Sequence, residues 1–455
     1  MTLQAGGRVH FVGIGGAGMS AIAKVLIERG VEVSGSDLKE SPATSALRAL
    51  GASVAIGHDA AYVHGASTVV VSSAIAATNP EVERARRDGI TVMTRGEALA
   101  ALVADARAVV VAGTHGKTTT TSMIVSILQA AGLDPTYLVG GGLNDAGTNA
   151  ASGSSDVAVV ESDESDASFL LLRSHIAVVT NVELDHVDHW RDLDELRAAF
   201  RTFLAQTDPA GAIIVPAGDP LAAEQLPGRV IAFGTEGRVA ARDEDVKPTG
   251  TTFTLVRDDE AVPCELKVPG AHNVANALAA AAAGHALGIS LGDIASGLAR
   301  FSGVERRFDL RGTARGVTVV DDYAHHPTEI AATLATARRG EWQRIVAIFQ
   351  PHRYSRTASM WRAFGGAFDD ADRVVITDVY GAGEAPMPGV TGKLVADAVA
   401  ERARGRAVAY LPHRDDLSRY VATSARPGDV VLTLGAGDIT TLGPQLLTMI
   451  DPDGR

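Results

Sequence analysis

The sequence contains a single cysteine, and this scarcity restricts both its chemistry and its setting. One thiol, Cys264, in 455 residues excludes an internal disulfide and a metal cluster built on cysteines. Such usage is typical of proteins in a reducing cytoplasm, which is the predicted compartment. Cys264 itself is expected to be a small buried hydrophobe.

Long unbroken apolar runs are also missing. The most apolar long window, Asn276 to Leu291, is interrupted by two glycines and a histidine, so it predicts a packed helix rather than a membrane span. The amino-terminal stretch MTLQAGGRVHFVGIGG lacks the charged start and apolar core of an export signal, and no export is expected.

An excess of basic residues is absent as well. The formal net charge of -13 argues against nonspecific binding to nucleic acid or to an anionic membrane, although local phosphate pockets remain compatible with it. With 46% hydrophobic and 21% charged residues, the composition is that of an ordinary globular protein. A chain of this length predicts roughly three domains.

A glycine-rich turn follows the apolar strand Ala108 to Val111 in the stretch AVVVAGTHGKTTTTSM. Strand, tight turn and helix form a phosphate cradle, because glycines let backbone amides approach an anion and the helix start adds its positive dipole end. Lys117 supplies a charge for the outer phosphates, and Thr118 a hydroxyl for Mg²⁺. The standard P-loop spacing needs glycine at position 111, so this loop is a shortened form, GTHGKTT. The alternative is a turn that only joins strand to helix.

Acidic loops follow two further apolar strands, in DVAVVESDESDAS at 156–168 and IAVVTNVELDHVDHW at 176–190. Because strand ends of a parallel sheet meet at one edge, these loops are expected to converge on the metal of the bound phosphates. Glu161 is the expected oxygen ligand beside Thr118. His186 is a less usual Mg²⁺ ligand, and the alternative is that it supports the ligands or the loop without binding the metal.

The amino-terminal region predicts a Rossmann-like domain. A strand at Arg8 to Val12 precedes GIGGAGMSAIAKVL, whose glycines fit the dinucleotide fingerprint, and Asp37 follows at the distance of the usual acidic ribose partner. The same geometry serves any ligand with a pyrophosphate and a ribose, so nicotinamide is one alternative among several. Strands at Thr68 to Val71 and Thr91 to Met93 end in Ser72-Ser73 and Thr94-Arg95, which line the same crevice or form plain turns.

Two segments of the middle region are less regular in pattern. Gly234 to Gly250 is rich in charge and glycine and is expected to be a loose segment. Further on, GAHNVANALAAAAAGHALG predicts a helix whose start, His272 to Asn276, offers amides and an imidazole for a purine. Helix capping by Asn273 is the competing interpretation.

The strand-helix pattern restarts after FSGVERRFDL at 301–310, which is interpreted as a hinge around Gly303. Four strands ending in polar or glycine loops predict a second doubly wound sheet whose upper edge faces the central loop. The His325-His326 and His352-Arg353 pairs fit anion recognition better than a metal site. Arg353 and Arg356 suit bidentate contact with a carboxylate or phosphate.

Eight motifs, in order and over nearly the whole chain, resemble the Mur ligases, in the branch that adds alanine. They are HFVGIGGAGMSAIA, GTHGKTTTT, ESDESDASFL, TNVELDHVDHW, GAHNVANALAA, GVERRFD, DDYAHHPTEI and FQPHRYSRT. The resemblance implies a bacterial cytoplasmic enzyme of peptidoglycan synthesis that uses ATP to join L-alanine to the lactyl carboxylate of UDP-N-acetylmuramate through an acyl phosphate. It implies no nucleic-acid or membrane partner, and a monomer or homodimer.

The implied fold is α/β with three domains. They are a Rossmann-like UDP-sugar domain at 1–103, a central P-loop ATPase-type domain at 104–305 and a Rossmann-like carboxyl-terminal domain at 306–455.

The resemblance also implies sets of site residues. The UDP-sugar set is Gly15, Gly16, Gly18, Met19, Ser20, Asp37, Ser72 and Ser73. The ATP set is Gly113, Thr114, His115, Gly116, Lys117, Thr118, Thr119, His272, Asn273, Asn276, Arg307 and Asp322. The Mg²⁺ ligands are Thr118, Glu161 and His186, and the amino-acid and sugar-acid pocket has His325, His352, Arg353 and Arg356. The implied catalytic residues are Lys117, His186 and Arg353.

One departure from the sister ligases matters. Several of them carry a lysine whose carbamate bridges two metals, but this chain has no lysine between Lys117 and Lys247. A carbamate bridge is thereby excluded, and the ligands of a second metal are left open. The alternatives are a recycling ligase that attaches a ready-made tripeptide, a nicotinamide-dependent oxidoreductase, and a noncatalytic nucleotide sensor or scaffold.

Overall fold

The computed structural model describes residues 7–142, 148–187, 189–402 and 405–452. Within them the chain forms three successive sheets of five, ten and six strands, flanked by helices. The predicted α/β class with three domains is confirmed, whereas the domain boundaries after residues 103 and 305 stay predictions. Position 188, in the histidine-rich motif, lies outside the described residues.

The first sheet is wholly parallel, with the order β3-β2-β1-β4-β5. Its elements are β1 (Arg8–Val12), α1 (Ala17–Glu28), β2 (Val33–Asp37), α2 (Pro42–Ala49), β3 (Ser53–Ile56), β4 (Ala66–Val71), α3 (Pro80–Arg87), β5 (Thr91–Thr94) and α4 (Arg95–Val103). The winding reverses between β1 and β4, and such a switch point opens a crevice at the carboxyl ends of the strands. The predicted UDP-sugar residues follow β1 and β4, except for Asp37, which ends β2.

The central sheet has the order β15-β14-β13-β12-β11-β10-β6-β9-β7-β8. Its elements are β6 (Arg107–Ala112), α5 (Lys117–Ala130), β7 (Thr136–Leu138), β8 (Ala150–Ala151), β9 (Val157–Glu161), β10 (Ile176–Val179), α6 (Leu193–Ala205), β11 (Ala212–Pro216), β12 (Arg229–Phe233), β13 (Val239–Lys247), β14 (Gly250–Arg257), β15 (Glu260–Leu266), α7 (Ala271–Ala286) and α8 (Leu291–Arg300). Strand β6 pairs in parallel with β10 and β9, so the loops after these three strands emerge side by side.

The expectation of a loose segment at 234–250 was wrong. Most of it is β13, which pairs antiparallel with β14, and β14 pairs antiparallel with β15. The pattern is misleading because β13 is half exposed and carries the charged run RDED, whereas a buried strand is apolar throughout. Backbone pairing with its neighbours β12 and β14, rather than apolar burial along its whole length, forms this strand.

The third sheet has the order β16-β17-β21-β18-β19-β20, parallel except for β16. Its elements are β16 (Asp309–Ala314), β17 (Val317–Asp322), α9 (Pro327–Arg338), β18 (Arg344–Phe349), α10 (Tyr354–Ala367), β19 (Arg373–Ile376), α11 (Gly392–Arg402), β20 (Ala407–Tyr410), α12 (Arg414–Ser424), β21 (Asp429–Leu434) and α13 (Leu442–Ile450). The four predicted strands are present, and the two edge strands β16 and β20 extend the sheet.

Apolar packing joins the first and central regions. One buried cluster combines Ile22 and Leu26 of α1 with Leu138 of β7. Polar contacts reinforce it, because Lys24 Nζ donates to Ala150 O at 2.6 Å and Arg29 donates to Thr136 Oγ1 at 3.2 Å. Helix α1 therefore rests on the edge of the central sheet.

The described part of the chain contains no helix both long and apolar enough to cross a membrane. The alanine-rich window from Asn276 to Leu291 instead forms most of helix α7 and the turn that follows it. The buried residues of α7 pack against the central sheet and α5. The prediction of a packed helix there is confirmed.

Candidate active site

The central glycine loop, residues 113–116, connects β6 to α5 and is fixed by packing as well as by backbone angle. Gly113 (φ +134°) and Gly116 (φ +77°) adopt conformations that side chains disfavour. A Cβ on Gly113 would overlap Thr180, and one on Gly116 would overlap Asn276. Both glycines are thus required for the loop to lie against the neighbouring strand end and helix α7.

Two amides of this loop are already engaged within the protein. Thr114 N donates to Asn181 O at 3.1 Å, and His115 N donates to Asn181 Oδ1 at 2.9 Å. The Thr114 hydroxyl also bonds the backbone of Glu183. Thr114 and His115 therefore shape the loop, and the donors left for an anion are the amides of the first turn of α5, residues 116–119.

Lys117 is held at the centre of the loop by a carboxylate that the sequence did not single out. Its Nζ donates to Gly113 O at 2.7 Å and to Glu164 Oε2 at 2.7 Å. Burial opposes the charge, but Glu164 and Asp163 outweigh it and raise the pKa of Lys117. Burial raises the pKa of Glu164 to about 7. Glu164 lies in the acidic loop noted in the sequence, where no local signal separates it from its neighbours.

The predicted metal ligands fall into two adjacent groups. Thr118 Oγ1 donates to Glu161 Oε1 at 2.9 Å, and Glu161 Oε2 accepts from Gly140 N at 2.6 Å. His186 instead lies with Asp163 and Glu164, their ligand atoms all within 4.8 Å of one another. Burial lowers the pKa of His186, which favours the neutral imidazole that metals bind.

A buried ion pair joins the central and third regions. Arg356 Nε and Nη2 each lie 3.0 Å from an oxygen of Asp185, and both side chains are almost fully buried. Despite burial, the Arg356 guanidinium holds the pKa of Asp185 well below its usual range. Asp185 was missed by sequence reasoning, because its partner is far along the chain. Arg356, predicted to bind a carboxylate or phosphate, is thus occupied by a carboxylate of the protein.

The predicted amino-acid pocket is assembled from loops of the third sheet. His325 Nδ1 lies 3.0 Å from Tyr323 O, and the rings of His325 and His352 are 5.8 Å apart. His352 stacks on Tyr380 at 5.7 Å. Burial lowers the pKa of His325 to about 3 and that of His352 to about 4. Both imidazoles are therefore neutral at pH 7.

Arg353 has a strained backbone within the same loops. Its φ is +68°, and its Nε lies 3.9 Å from Glu384 Oε1. Such a left-handed conformation of a non-glycine residue is often found at functional sites.

Residues of the predicted ATP set, including the three predicted at the adenine, line a cavity of about 190 Å³. They are His115, Gly116, Thr119, His272, Asn273, Asn276, Arg307 and Asp322. The capping interpretation of Asn273 was wrong, because Gly270 is the N-cap of α7 and Asn273 Nδ2 donates to Pro269 O at 2.7 Å.

Burial shifts the pKa values of two groups that line this cavity, Asp322 and His272. Burial raises the pKa of Asp322 to about 6, although its oxygens accept from the amides of Phe308 and Ala324 at 2.8 and 2.7 Å. Burial lowers the pKa of His272 to about 4. A neutral imidazole suits a hydrogen bond to an uncharged base, and the Asp322 carboxylate suits acceptance of a hydrogen bond from a ribose hydroxyl.

A larger cleft of about 530 Å³ opens where all three regions meet. The predicted residues that line it are Gly18, Thr114, His115, Gly116, Lys117, Thr118, Glu161, His186, Arg307, His325, His352, Arg353 and Arg356. Arg95, Asp163, Asp185 and Glu329 also line it. The expectation that the third sheet faces the central loop is confirmed.

The predicted UDP-sugar residues cluster at the crevice of the first sheet. Gly15 N donates to Asp37 Oδ2 at 2.8 Å, so Asp37 shapes the loop. The Met19 side chain is buried, which leaves only its backbone amide in the first turn of α1 for a ligand. Ser20 Oγ donates to Ala17 O at 3.1 Å. Gly16, the N-cap of α1, lies at the start of the same turn.

The two serines after β4 are placed differently. Ser72 Oγ accepts from Ala74 N at 3.4 Å, which is a turn contact, while Ser73 is exposed. A Cβ on Gly13 would come 3.2 Å from Ser72 Cβ, so this turn lies against the first glycine loop. The ligand contacts of Asp37, Ser72 and Ser73 stay predictions.

Three family models match consecutive parts of the chain. They are "Mur ligase family, catalytic domain" at residues 8–107, "Mur ligase middle domain" at 111–284 and "Mur ligase, glutamate ligase domain" at 306–437. The chain belongs to the Mur ligase family. The resemblance of the eight motifs is thereby confirmed.

Relatives of this Mur ligase are similar over their full length. One from Rubrobacter xylanophilus is 49% identical over 97% of this chain and 100% of its own length. One from a Nocardioides species is 48% identical over 98% and 96%. Both are named UDP-N-acetylmuramate–L-alanine ligase.

Solved structures show the same architecture. The crystal structure of the UDP-N-acetylmuramate-alanine ligase of Thermotoga maritima has a TM-score of 0.81 at 31% identity, over 97% of this Mur ligase and 98% of that chain. A murein peptide ligase from Psychrobacter arcticus has a TM-score of 0.70 at 24% identity, over 98% and 99%, and shows the fold alone.

Proposed function

We propose that this Mur ligase joins L-alanine to the lactyl carboxylate of UDP-N-acetylmuramate at the expense of ATP. The observation that carries the proposal is the cleft of about 530 Å³, in which a phosphate loop and a group of carboxylates from the central domain face a histidine-arginine group from the third domain. The phosphate loop suits ATP, the carboxylates suit its metal, and the histidine-arginine group suits the amino acid and the sugar acid. The full-length relatives bear the corresponding name.

Two glycine loops divide the nucleotides between them. The first-turn amides of α1 and the loop shaped by Asp37 suit the diphosphate of the UDP-sugar. The first-turn amides of α5 and Lys117 suit the phosphates of ATP, with the adenine in the cavity of about 190 Å³. ATP dependence follows from membership of the family.

The residues around Thr118 fit a hard divalent cation. Thr118 Oγ1 and Glu161 supply oxygen ligands, and Glu164 Oε1 is buried without a hydrogen-bond partner among the described residues. His186 lies beside Glu164, with its Nε2 3.8 Å from Glu164 Oε1. These residues would hold Mg²⁺, which would supply positive charge to neutralise the phosphate oxygens. Asp163 and Glu164 are the candidates for the role that a carbamate fills in the sister ligases.

The reaction needs activation because a carboxylate does not form an amide at neutral pH. An oxygen of the lactyl carboxylate attacks the γ-phosphorus and displaces ADP, which gives an acyl phosphate. The amine of L-alanine then attacks the acyl carbon, loses a proton and expels phosphate. Lys117 stabilises the transferring phosphoryl group, and Arg353 lines the cleft where the acyl group lies.

Positioning by three domains supplies much of the acceleration, of the order of 7 to 11 kcal/mol for well-oriented groups. His325 and His352 are neutral, so they act by hydrogen bonding rather than by carrying charge. Closure about the hinge near Gly303, which has φ +104°, would bring the substrates together.

An assay of phosphate release tests the proposal. The chain is incubated with ATP, Mg²⁺, UDP-N-acetylmuramate and one of several acceptors: L-alanine, glycine, L-serine or a stem tripeptide. We expect L-alanine to give the highest kcat/KM. A preference for the tripeptide would identify a recycling ligase instead, and the absence of ADP release with every acceptor would favour a sensor or scaffold. A fluorescence change with NADH would support the oxidoreductase alternative.

The metal assignment has its own test. We expect Glu161→Ala to shift the Mg²⁺ concentration for half-maximal activity upward by about tenfold, because it removes one oxygen ligand. An unchanged Mg²⁺ titration would remove Glu161 from the metal shell. Glu236→Ala, at an exposed position between β12 and β13, is the matched control.

A further inference from the structure

Glu329, in the first turn of α9, lies where three parts of the site meet. Its Oε1 is 3.2 Å from His115 Nδ1 in the central glycine loop and 3.6 Å from Arg307 Nη1 beyond the hinge. Its Oε2 accepts from the amides of His325 at 3.0 Å and His326 at 3.3 Å. One carboxylate therefore contacts the phosphate loop, a predicted phosphate ligand and the loop of the predicted amino-acid pocket.

His115 makes contacts with both the central and the third domain. Its backbone oxygen accepts from Thr180 Oγ1 at 2.6 Å and from Asn181 Nδ2 at 3.0 Å, both within the central domain. Its ring packs against His326 of the third domain, with centroids 4.5 Å apart. The peptide of His115 is thus fixed to the central sheet while its side chain is fixed to α9.

A second contact supports the same junction. Thr328 Oγ1 donates to Glu183 Oε2 at 2.6 Å, and Glu183 Oε2 lies 3.6 Å from His115 Nε2. The start of α9 is therefore docked on the central domain by a group of side chains rather than by one bond.

The junction is an ion pair. Burial alone would lower the pKa of His115, but the carboxylates of Glu329 and Glu183 outweigh it and raise the pKa to about 9. Despite burial, the charges of His115 and Arg307 hold the pKa of Glu329 well below its usual range. His115 is therefore cationic and Glu329 anionic at neutral pH. Removing one member of such a buried pair leaves the other uncompensated.

We propose that Glu329 is a positioning residue that couples the amino-acid pocket to the phosphate loop through His115. The inference rests on the proposed function, because it takes the pocket at His325 and His352 to be the site of L-alanine. Any movement of α9 displaces the His325 amide and the His115 ring together. Occupancy of the phosphate loop and of the amino-acid pocket is therefore energetically linked.

Steady-state kinetics of Glu329→Gln test the coupling. The amide keeps the shape of the side chain but removes its charge, so we expect the KM values for ATP and for L-alanine to rise together, each about tenfold. The Kd for UDP-N-acetylmuramate, measured by calorimetry, is expected to stay within twofold. Glu329→Asp, which keeps the charge, is expected to recover part of both losses.

A double-mutant cycle distinguishes coupling from two independent effects. His115→Asn is expected to raise both KM values as Glu329→Gln does, and the double variant to be no worse than either single one. Effects that multiply in the double variant, or a rise in only one KM, would overturn the proposal. Glu341→Gln, at an exposed position after α9, is the matched control and should behave as the unaltered chain.

A measurement that does not need turnover completes the test. Small-angle X-ray scattering of the full chain with a nonhydrolysable ATP analogue should show compaction that His115→Asn and Glu329→Gln each reduce. Equal compaction in all three proteins would overturn the coupling even if a variant turned over poorly. Inactivity of the unaltered chain with L-alanine would instead contradict the proposed function. The scattering result would then decide by itself whether Glu329 and His115 couple the two domains.

Discussion

The molecule contains two glycine loops, each between a buried strand and a helix, but they present different chemistry. The first loop, between β1 and α1, is braced by Asp37, whose Oδ2 accepts from Gly15 N. The second, between β6 and α5, encloses Lys117, which Glu164 holds at 2.7 Å, and it has Glu161 on the hydroxyl of Thr118.

The difference shows how one backbone device serves two tasks. Both loops offer the amides of a first helical turn, which suffice to hold a diphosphate. The second adds a cation and a set of carboxylates that suit a metal, which a phosphoryl group needs as it is transferred. The first loop is therefore suited to bind the diphosphate of a substrate, and the second is suited to support phosphoryl transfer.

The largest effect is expected at Lys117. We expect Lys117→Ala to reduce phosphate release by at least about a hundredfold to a thousandfold, since it removes the charge that faces the transferring group. Calorimetry should show UDP-sugar binding nearly unchanged, because the first loop is intact. Loss of both together would mean that the two loops are not separate sites. Lys267→Ala, at an exposed position directly after β15, is the control.

Alanine substitutions are expected to affect stability differently in the two loops, because the second loop is more tightly packed. A Cβ on Gly113 would overlap Thr180 at a φ of +134°, so we expect Gly113→Ala to lower the free energy of unfolding by about 2 to 4 kcal/mol. Gly16 has a φ of -65° and its nearest Cβ contact is 3.5 Å away, so Gly16→Ala should unfold like the unaltered chain. Equal denaturation midpoints for both variants would contradict this contrast.

The second loop also has a titratable group, His115. Its pKa is raised from 6.5 to about 9, so its stabilising contribution is fully present below pH 6.5 and is lost as the pH rises through 9. The stability advantage of the unaltered chain over His115→Gln should therefore shrink by up to about 3 kcal/mol across that window. Urea unfolding at a series of pH values checks this, and a constant difference would show that His115 does not titrate there.

The smallest effect is expected at Asp37. Asp37→Asn keeps an acceptor for Gly15 N but removes its charge, so the UDP-sugar Kd should rise about threefold to tenfold. The KM for ATP should not change. A shift of similar size in the KM for ATP would indicate that ligand binding at the two loops is coupled. Asp59→Asn, an exposed turn residue of the same domain, serves for comparison.

Residues inside a local pattern could be predicted from the sequence. Lys117 and Thr118 follow a strand and two glycines within one short stretch, so their roles are expressed locally. Glu161 directly ends an apolar strand, and the geometry of parallel sheets brings it to the same edge. Strand β13 was missed because its charged residues are stabilised by partners across the sheet rather than by their own periodicity.

Partners far along the chain could not be predicted in this way. Glu164 lies 47 residues from Lys117, Asp185 lies 171 from Arg356, and Glu329 lies 214 from His115. Glu164 and Asp185 have acidic neighbours in the sequence, and only the tertiary structure selects the acid that meets a cation.

The sequence by itself determined three strand-helix regions, two glycine loops between a strand and a helix, and the acids beside the second, because apolar periodicity and glycine turns act over a few residues. The tertiary structure alone decided which carboxylate holds Lys117, which holds Arg356 and which joins α9 to His115. The physical reason is that an ion pair depends on distance in space, and contacts between domains are set by the burial of whole helices and sheets.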